Sequence, residues 1–298
     1  MVKICGHDFT FGADPELFVR NKGKIVSAYG LVKGDKANPV KVKKGAVQVD
    51  GMALEFNIDP ANSFEDFNSN LDIVMGSLKE MVGKDYEFDI TPVAEFGKEY
   101  IDAQPKAARE LGCSPDYDAY TGLPNERPNA DAPFRTAAGH LHIGWTKDVD
   151  PNEPGHFEAC RWIARVLDLY VGVPSLTWDT TPEAIKRRSL YGKAGCFRPT
   201  SYGVEYRTLS NTWLLPQKVM NKETGNVVEY PSLRRELVFK NSVKALENLF
   251  EDNEIVNKKF VGKTAQEIIE TNDVNSTLRI FEMGIVPSLK HYRNQNAF

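Results

Sequence analysis

The sequence predicts an α+β fold. Three observations carry this. The first third alternates short β-like runs with turns, further strands recur between helices in the middle, and the chain after Ser232 is mostly helical. With 298 residues, 41% hydrophobic and 26% charged, the chain can bury a substantial core and is too apolar for wholesale disorder. Residues 1–298 read as a single domain whose helical C-terminal part begins at about 231.

Phe11 to Val19, Lys24 to Tyr29, Ala46 to Val49 and Met52 to Ile58 read as strands, and Asp50-Gly51 is a hairpin signal. Ser63 opens a helix to about Met81, because Phe64, Phe67, Leu71, Val74, Leu78 and Met81 keep helical spacing and Ser63 with Asp66 approximates a capping box. Tyr86 to Phe96 reads as a strand. Gly112 to Pro133 is rich in Pro, Asp, Asn and Gly, which fits a lid or binding loop and equally a surface excursion. Thr136 to Trp145 and Gly203 to Ser210 read as strands, His156 to Tyr170 as a helix, and Pro182 starts another that ends near Gly192. From Ser232 the run including Leu233, Leu237, Val238, Val243, Leu246 and Phe250 is amphipathic and reads as packing.

The chemistry lies in strand alternation. Successive side chains on a strand point to opposite faces. Asp14 and Glu16 therefore share a face, as do Glu55 and Asn57, His140 and His142, and Glu205 and Arg207, each pair backed by mostly apolar neighbours. One such strand is ordinary for a half-exposed sheet. Four together are selective, because a solvated face normally mixes Lys, Thr, Ser and Gln. Carboxylates and imidazoles converging on one face suit Mg²⁺ or Mn²⁺, and an arginine beside them suits phosphate or carboxylate. Lys186, Arg187, Arg188, Lys193 and Arg198 form a second, basic feature. Lys186 and Arg187 read as a solvated helix end, whereas for Arg188, Lys193 and Arg198 that reading and triphosphate contact are equally open.

Other classes are disfavoured. Lys+Arg 37 against Asp+Glu 41 gives a net charge of −4, so no broad nucleic-acid footprint is expected. Cys5, Cys113, Cys160 and Cys196 form no Cys-x-x-Cys pair, which makes a reducing cytosol the default location. Met1 to Phe9 shows no signal-peptide core, and Trp162 to Trp178, interrupted by Arg165 and Asp168, falls short of a membrane span. Val261-Gly-Lys-Thr264 imitates the end of a P-loop but lacks its first glycine. His7, His156 and His291 are isolated and read as ordinary histidines, and Cys160 as core.

In order and type, the four motifs resemble the glutamine synthetase-like carboxylate–amine ligases, and in particular the phage-associated COOH·NH2 ligase type 2 family, from about Phe11 to Trp213. The resemblance implies a glutamine synthetase-like catalytic domain, with a mainly antiparallel curved sheet bearing one polar active-site face and helices packed on the other. It implies metal binding by Asp14, Glu16, Glu55, His140 and Glu205, with Asp50 a stand-in for a missing second-strand Glu. Catalytic roles fall to Glu205, Arg207 and His142. Nucleotide contacts fall to Asn57 and Arg207, with Arg188, Lys193 and Arg198 from the basic segment. The implied activity is ATP- and Mg²⁺- (or Mn²⁺-) dependent formation of an amide or peptide bond through an acyl phosphate, on small-molecule or peptide carboxylate and amine substrates. No nucleic acid and no membrane are expected as partners, a homo-oligomer is allowed, and the location is the cytoplasm, that of the host if phage-encoded. A metal-dependent amide hydrolase and a non-catalytic binding protein on the same fold are the alternatives.

Overall fold

The computed structural model describes residues 1–110, 116–126, 129, 131–220 and 226–288. The strands are β1 (Val2–Ile4), β2 (His7–Asn21), β3 (Lys24–Val26), β4 (Val40–Val42), β5 (Gly45–Asp50), β6 (Ala53–Ile58), β7 (Tyr86–Asp89), β8 (Val93–Glu95), β9 (Tyr117–Asp118), β10 (Phe134–Thr136), β11 (Gly139–Gly144), β12 (Cys196–Thr200), β13 (Gly203–Tyr206), β14 (Gln217–Met220) and β15 (Val227–Tyr230). Among the described residues, eleven of them form one sheet with the path β4-β5-β6-β2-β11-β13-β12-β9, and β1, β3 and β7 also pair β2. All these pairings are antiparallel. The long β2 is the hub, so residues from five other strands are referred to one backbone.

Helix α1 (Phe64–Val82) starts where expected, with the Ser63 hydroxyl accepting the Asp66 amide. Two one-turn helices, α2 (Lys98–Asp102) and α3 (Lys106–Arg109), follow. α4 (Pro154–Leu167) begins at a proline in the first turn, where its missing N–H costs nothing, and runs on through a π-helical Asp168–Gly172 into α5 (Val173–Ser175). α6 (Pro182–Leu190) is capped by the Thr181 hydroxyl. α7 (Leu233–Glu251), α8 (Ala265–Glu270) and α9 (Val274–Glu282) complete the set.

The apolar face of the sheet carries Phe11, Ala13, Leu17 and Val19 of β2, Leu54, Phe56 and Ile58 of β6, Leu141 and Ile143 of β11, and Val204 and Tyr206 of β13. Residues of α1, α4 and α7 join that core, so the C-terminal helices bury their apolar stripe on the same cluster as the N-terminal strands. The opposite face is not polar throughout. Past Glu16 it becomes a small apolar cluster of Phe18, Ala53, Ala94 and Ala137, which closes one end of the polar region.

Several boundaries depart from expectation. Tyr86 to Phe96 is two strands, β7 and β8, and Thr136 to Trp145 is also two, β10 and β11. The Lys24 strand ends at Val26 and the Gly203 strand at Tyr206. β12 and the β14–β15 hairpin were not expected. Pro199 sits inside β12, and proline argues against a strand when only sequence is read. Of the Gly112 to Pro133 excursion, 112–115, 127, 128 and 130 lie outside the described residues, as do Cys113 and His291. Cys160 is core, and His156 is buried with its Nε2 2.8 Å from Thr200 O. No helix among the described residues is long and apolar enough to cross a membrane.

Candidate active site

Register places the polar pairs. Antiparallel pairing sets His140 opposite Asp14, His142 opposite Gly12 and Glu205 opposite His142. Arg198 faces Glu205 from β12, Glu16 faces Glu55, and Glu55 faces Gln48. Directly opposed residues share a face, so one continuous polar surface runs from β5 to β12.

At the centre, one oxygen of Asp14, one nitrogen of His140 and one oxygen of Glu205 all lie within 4.8 Å of one another. His140 Nδ1 is 3.3 Å from Asp14 Oδ1 and 3.2 Å from Glu205 Oε1, and His142 Nε2 is 3.0 Å from Asp14 Oδ1. Close as they are, Asp14 Oδ1 and His142 Nε2 have no hydrogen bond of proper geometry. Buried polar atoms left so are uncommon, and this donor set of carboxylate and imidazole fits a divalent cation such as Mg²⁺ or Mn²⁺.

Cationic side chains surround Glu205. Arg207 Nη1 pairs with Glu205 Oε1, and Arg198 Nη1 lies 2.7 Å from Oε2. Burial raises the Glu205 carboxyl, but Arg207 and the other charges outweigh it and hold it at about 2. Burial pushes His140 down to about 4, with the Arg207 charge adding to it, so its imidazole is neutral and able to ligate. His142 goes up: burial opposes, and the Asp14 carboxylate outweighs it. For Asp14, burial is overridden by His142 and His140, which hold it well below the usual range.

The β2–β6 side differs. Glu16 Oε2 accepts the Ala138 amide at 2.8 Å and Glu55 Oε2 accepts Gln48 Nε2 at 2.7 Å. Burial, then the Asp50 charge, raises Glu16 to about 7. Burial, then Asp14, raises Glu55 well above its ordinary value.

Asp14, Glu16, Glu55, His140, His142, Arg198, Glu205 and Arg207 are thus brought together, and Asn57 shares the face one residue pair beyond Glu55. Arg188 is not brought there. It is 6% exposed and donates to Asp179 Oδ2, Asp179 O and Asn272 Oδ1. Lys193 is exposed on the rim of a cleft of about 240 Å³ lined also by Asn125, Arg135, Thr136 and Tyr191. Lys186 pairs with Glu95 at the surface, but Arg187 is no solvated helix end: it is 1% exposed and donates to Arg207 O and Thr208 O.

Three contributors escaped the sequence reading. Gln48 follows from the same alternation applied to β5, since it lies two residues before Asp50. The Tyr202 hydroxyl, 2.5 Å from His142 Nδ1, comes from the β12–β13 turn, and Asp116, whose Oδ2 accepts Arg207 Nε at 3.1 Å, comes from the excursion. Neither carries a local signal.

Fold and site together define a mixed α and β protein whose large antiparallel sheet carries a candidate cation site flanked by arginine. Residues 136–283 match the model of the family described as Phage phiEco32-like COOH.NH2 ligase-type 2, which supports the resemblance and suggests a carboxylate–amine ligase. That segment holds His140, His142, Arg198, Glu205 and Arg207, whereas Asp14, Glu16 and Glu55 lie outside it. No curated protein matches the chain.

Proposed function

We propose that this chain is an ATP-dependent acid–amine ligase on a glutamine synthetase-like fold, using Mg²⁺ or Mn²⁺. The observation that carries the reading is the meeting of Asp14, His140 and Glu205 within 4.8 Å, with Arg207 bonded to the same Glu205. A substrate carboxylate oxygen attacks the γ-phosphorus of ATP and ADP leaves. An amine nitrogen then attacks the acyl carbon of the acyl phosphate, the C–O bond breaks with release of inorganic phosphate, and the nitrogen loses a proton to the solvent as the amide forms. Asp14, His140 and Glu205 would hold one cation, and Glu16 and Glu55 a second. A bound divalent cation supplies charge neutralisation at phosphate oxygens.

The chain's own groups do the rest. Arg207 and Arg198 present fixed guanidiniums to the phosphoryl group, an electrostatic role that needs no reorganisation during transfer. His142 stands beside Asp14 at the edge of the cluster, where the Tyr202 hydroxyl at Nδ1 sets its orientation. Asn57 and Lys193 stand as nucleotide or substrate contacts.

Thermal unfolding with Mg²⁺ alone, ATP alone and both together tests the reading. A ligand at about 100 times its Kd stabilises by about 2.7 kcal/mol. A shift that requires both, followed by ADP release when acids and amines are supplied, supports the ligase. A shift with metal alone and ATP-independent amide cleavage favours a hydrolase, and no shift with either favours a binding protein.

A further inference from the structure

Behind the polar face, on the apolar side of the sheet, lies a second polar cluster that the ligase reading does not use. Its centre is Asp168, 0% exposed and the first residue of the π-helical turn that prolongs α4. Such turns are rare and recur at functional sites. Asp168 Oδ1 accepts the Tyr206 hydroxyl at 2.7 Å and Oδ2 accepts the Tyr120 hydroxyl at 2.8 Å. Thr208 Oγ1 lies 3.3 Å from Oδ1 and 3.0 Å from Lys193 O, between which its single proton is shared.

The places of these residues in the chain give the cluster its meaning. Tyr206 and Thr208 flank Arg207 on either side. Tyr120 follows by four residues Asp116, the acceptor of Arg207 Nε. One carboxylate therefore ties down both the strand that carries Arg207 and the segment that supplies its partner. Arg187 grips the same stretch by donating to Arg207 O at 3.1 Å and Thr208 O at 2.8 Å. Gly172, in the same π turn, lacks a Cβ that would come within 2.6 Å of the Tyr206 hydroxyl. Such dense bonding around one arginine, on the face where no reactant sits, is what fixing a side chain through its neighbours requires.

We propose that Asp168 is a positioning residue for Arg207, acting through the hydroxyls of Tyr206, Thr208 and Tyr120. Its catalytic consequence rests on the ligase reading; its structural consequence, the immobilised guanidinium, does not. The variants are Asp168→Ala, Asp168→Asn and Tyr206→Phe, with Leu246→Ala, a buried apolar residue of α7, as a lesion of stability alone.

Two readouts are taken on the full chain: hydrogen exchange of the Arg207 Nε proton by NMR, and kcat and KM for ATP from ADP release. Asp168→Ala is expected to speed the exchange at least about tenfold and lower kcat by up to about 10²-fold, the scale of a 1 Å misplacement. KM for ATP should change less than about twofold, because the arginine acts on the group in transfer. Asp168→Asn keeps one acceptor oxygen and should recover part of both losses. Leu246→Ala should lower the thermal midpoint and move neither. A folded Asp168→Ala protein with wild-type Nε exchange overturns the proposal. If that variant does not fold, Tyr206→Phe carries the same criterion. A wild-type protein that releases no ADP with any acid and amine overturns the ligase reading, while the exchange data still decide the positioning role.

Discussion

On the β11–β13 side of the polar face, Glu205 holds two guanidiniums and an imidazole. On the β2–β6 side, Glu16 and Glu55 stand opposite each other near Asp50, with one amide from Gln48 and one from the Ala138 backbone as donors. The same residue type thus has opposite fates. Glu205 is held at about 2, whereas Glu16 rises to about 7. The first side is balanced within the protein, so losing a member strands buried charge. The second is an excess of carboxylates that burial and like charge push toward the protonated form. The contrast teaches that a cation should matter more to the acidic side, and a side-chain deletion more to the balanced one.

The largest effect should break the balanced side. Glu205→Ala leaves Arg207 and Arg198 without their shared carboxylate, and loss of one partner of a buried pair costs about 3–5 kcal/mol. Urea unfolding should show that loss, and ADP release should fall by about 10²-fold or more. Wild-type turnover in this variant would remove Glu205 from the mechanism.

The next largest effect should come from pH. Asp168 is pushed up to about 7 by burial, despite hydrogen bonds from Tyr206 and Tyr120. This lies above the unfolded aspartate value of about 3.9. The folded state therefore binds the proton more tightly, and the stability it contributes below pH 4 is lost progressively as pH rises to 7. Three units at about 1.4 kcal/mol each set a ceiling of about 4 kcal/mol. Asp168→Asn should gain on the wild type between pH 4 and pH 7.5 in unfolding free energy, and parallel curves for the two proteins would contradict the burial argument.

A smaller effect of opposite sign should mark the acidic side. Without metal, Glu16→Gln removes like-charge repulsion and should leave stability unchanged or raise it by about 1 kcal/mol, while abolishing any shift caused by Mg²⁺ with ATP. If Glu16→Gln destabilises the metal-free protein as Glu205→Ala does, the two sides are not different in kind. Smallest of all, Tyr202→Phe deletes one hydrogen bond to His142, worth about 1 kcal/mol. It should alter the pH profile of ADP release more than its maximum.

How much of this was legible follows one rule. Period-two alternation located Asp14, Glu16, Glu55, His140, His142, Glu205 and Arg207, because β2, β6, β11 and β13 keep apolar residues on the alternate positions. It failed where the strand itself was disguised, as at Pro199 beside Arg198. It was silent about contacts between segments distant in sequence, such as Asp116 with Arg207. A basic run misled for a related reason. Arg187 reads as solvent-facing charge and Arg188 as either that or a triphosphate contact, but their guanidiniums satisfy buried carbonyls and Asp179. Sequence shows charge and spacing, whereas the partner that decides a buried arginine's role lies elsewhere in the chain.

β2 lies beside β11 although more than a hundred residues separate Asp14 from His140, and β11 lies beside β13 across some sixty more. Contacts of such sequence separation pay their chain-closure entropy before returning any stabilisation, and they slow folding. Local hairpins such as β5–β6 can form early, but the cluster of Asp14, His140 and Glu205 exists only after both distant closures. Cation affinity should therefore emerge in the last kinetic phase of refolding, which makes a metal-sensitive probe a clock for the final step of assembly.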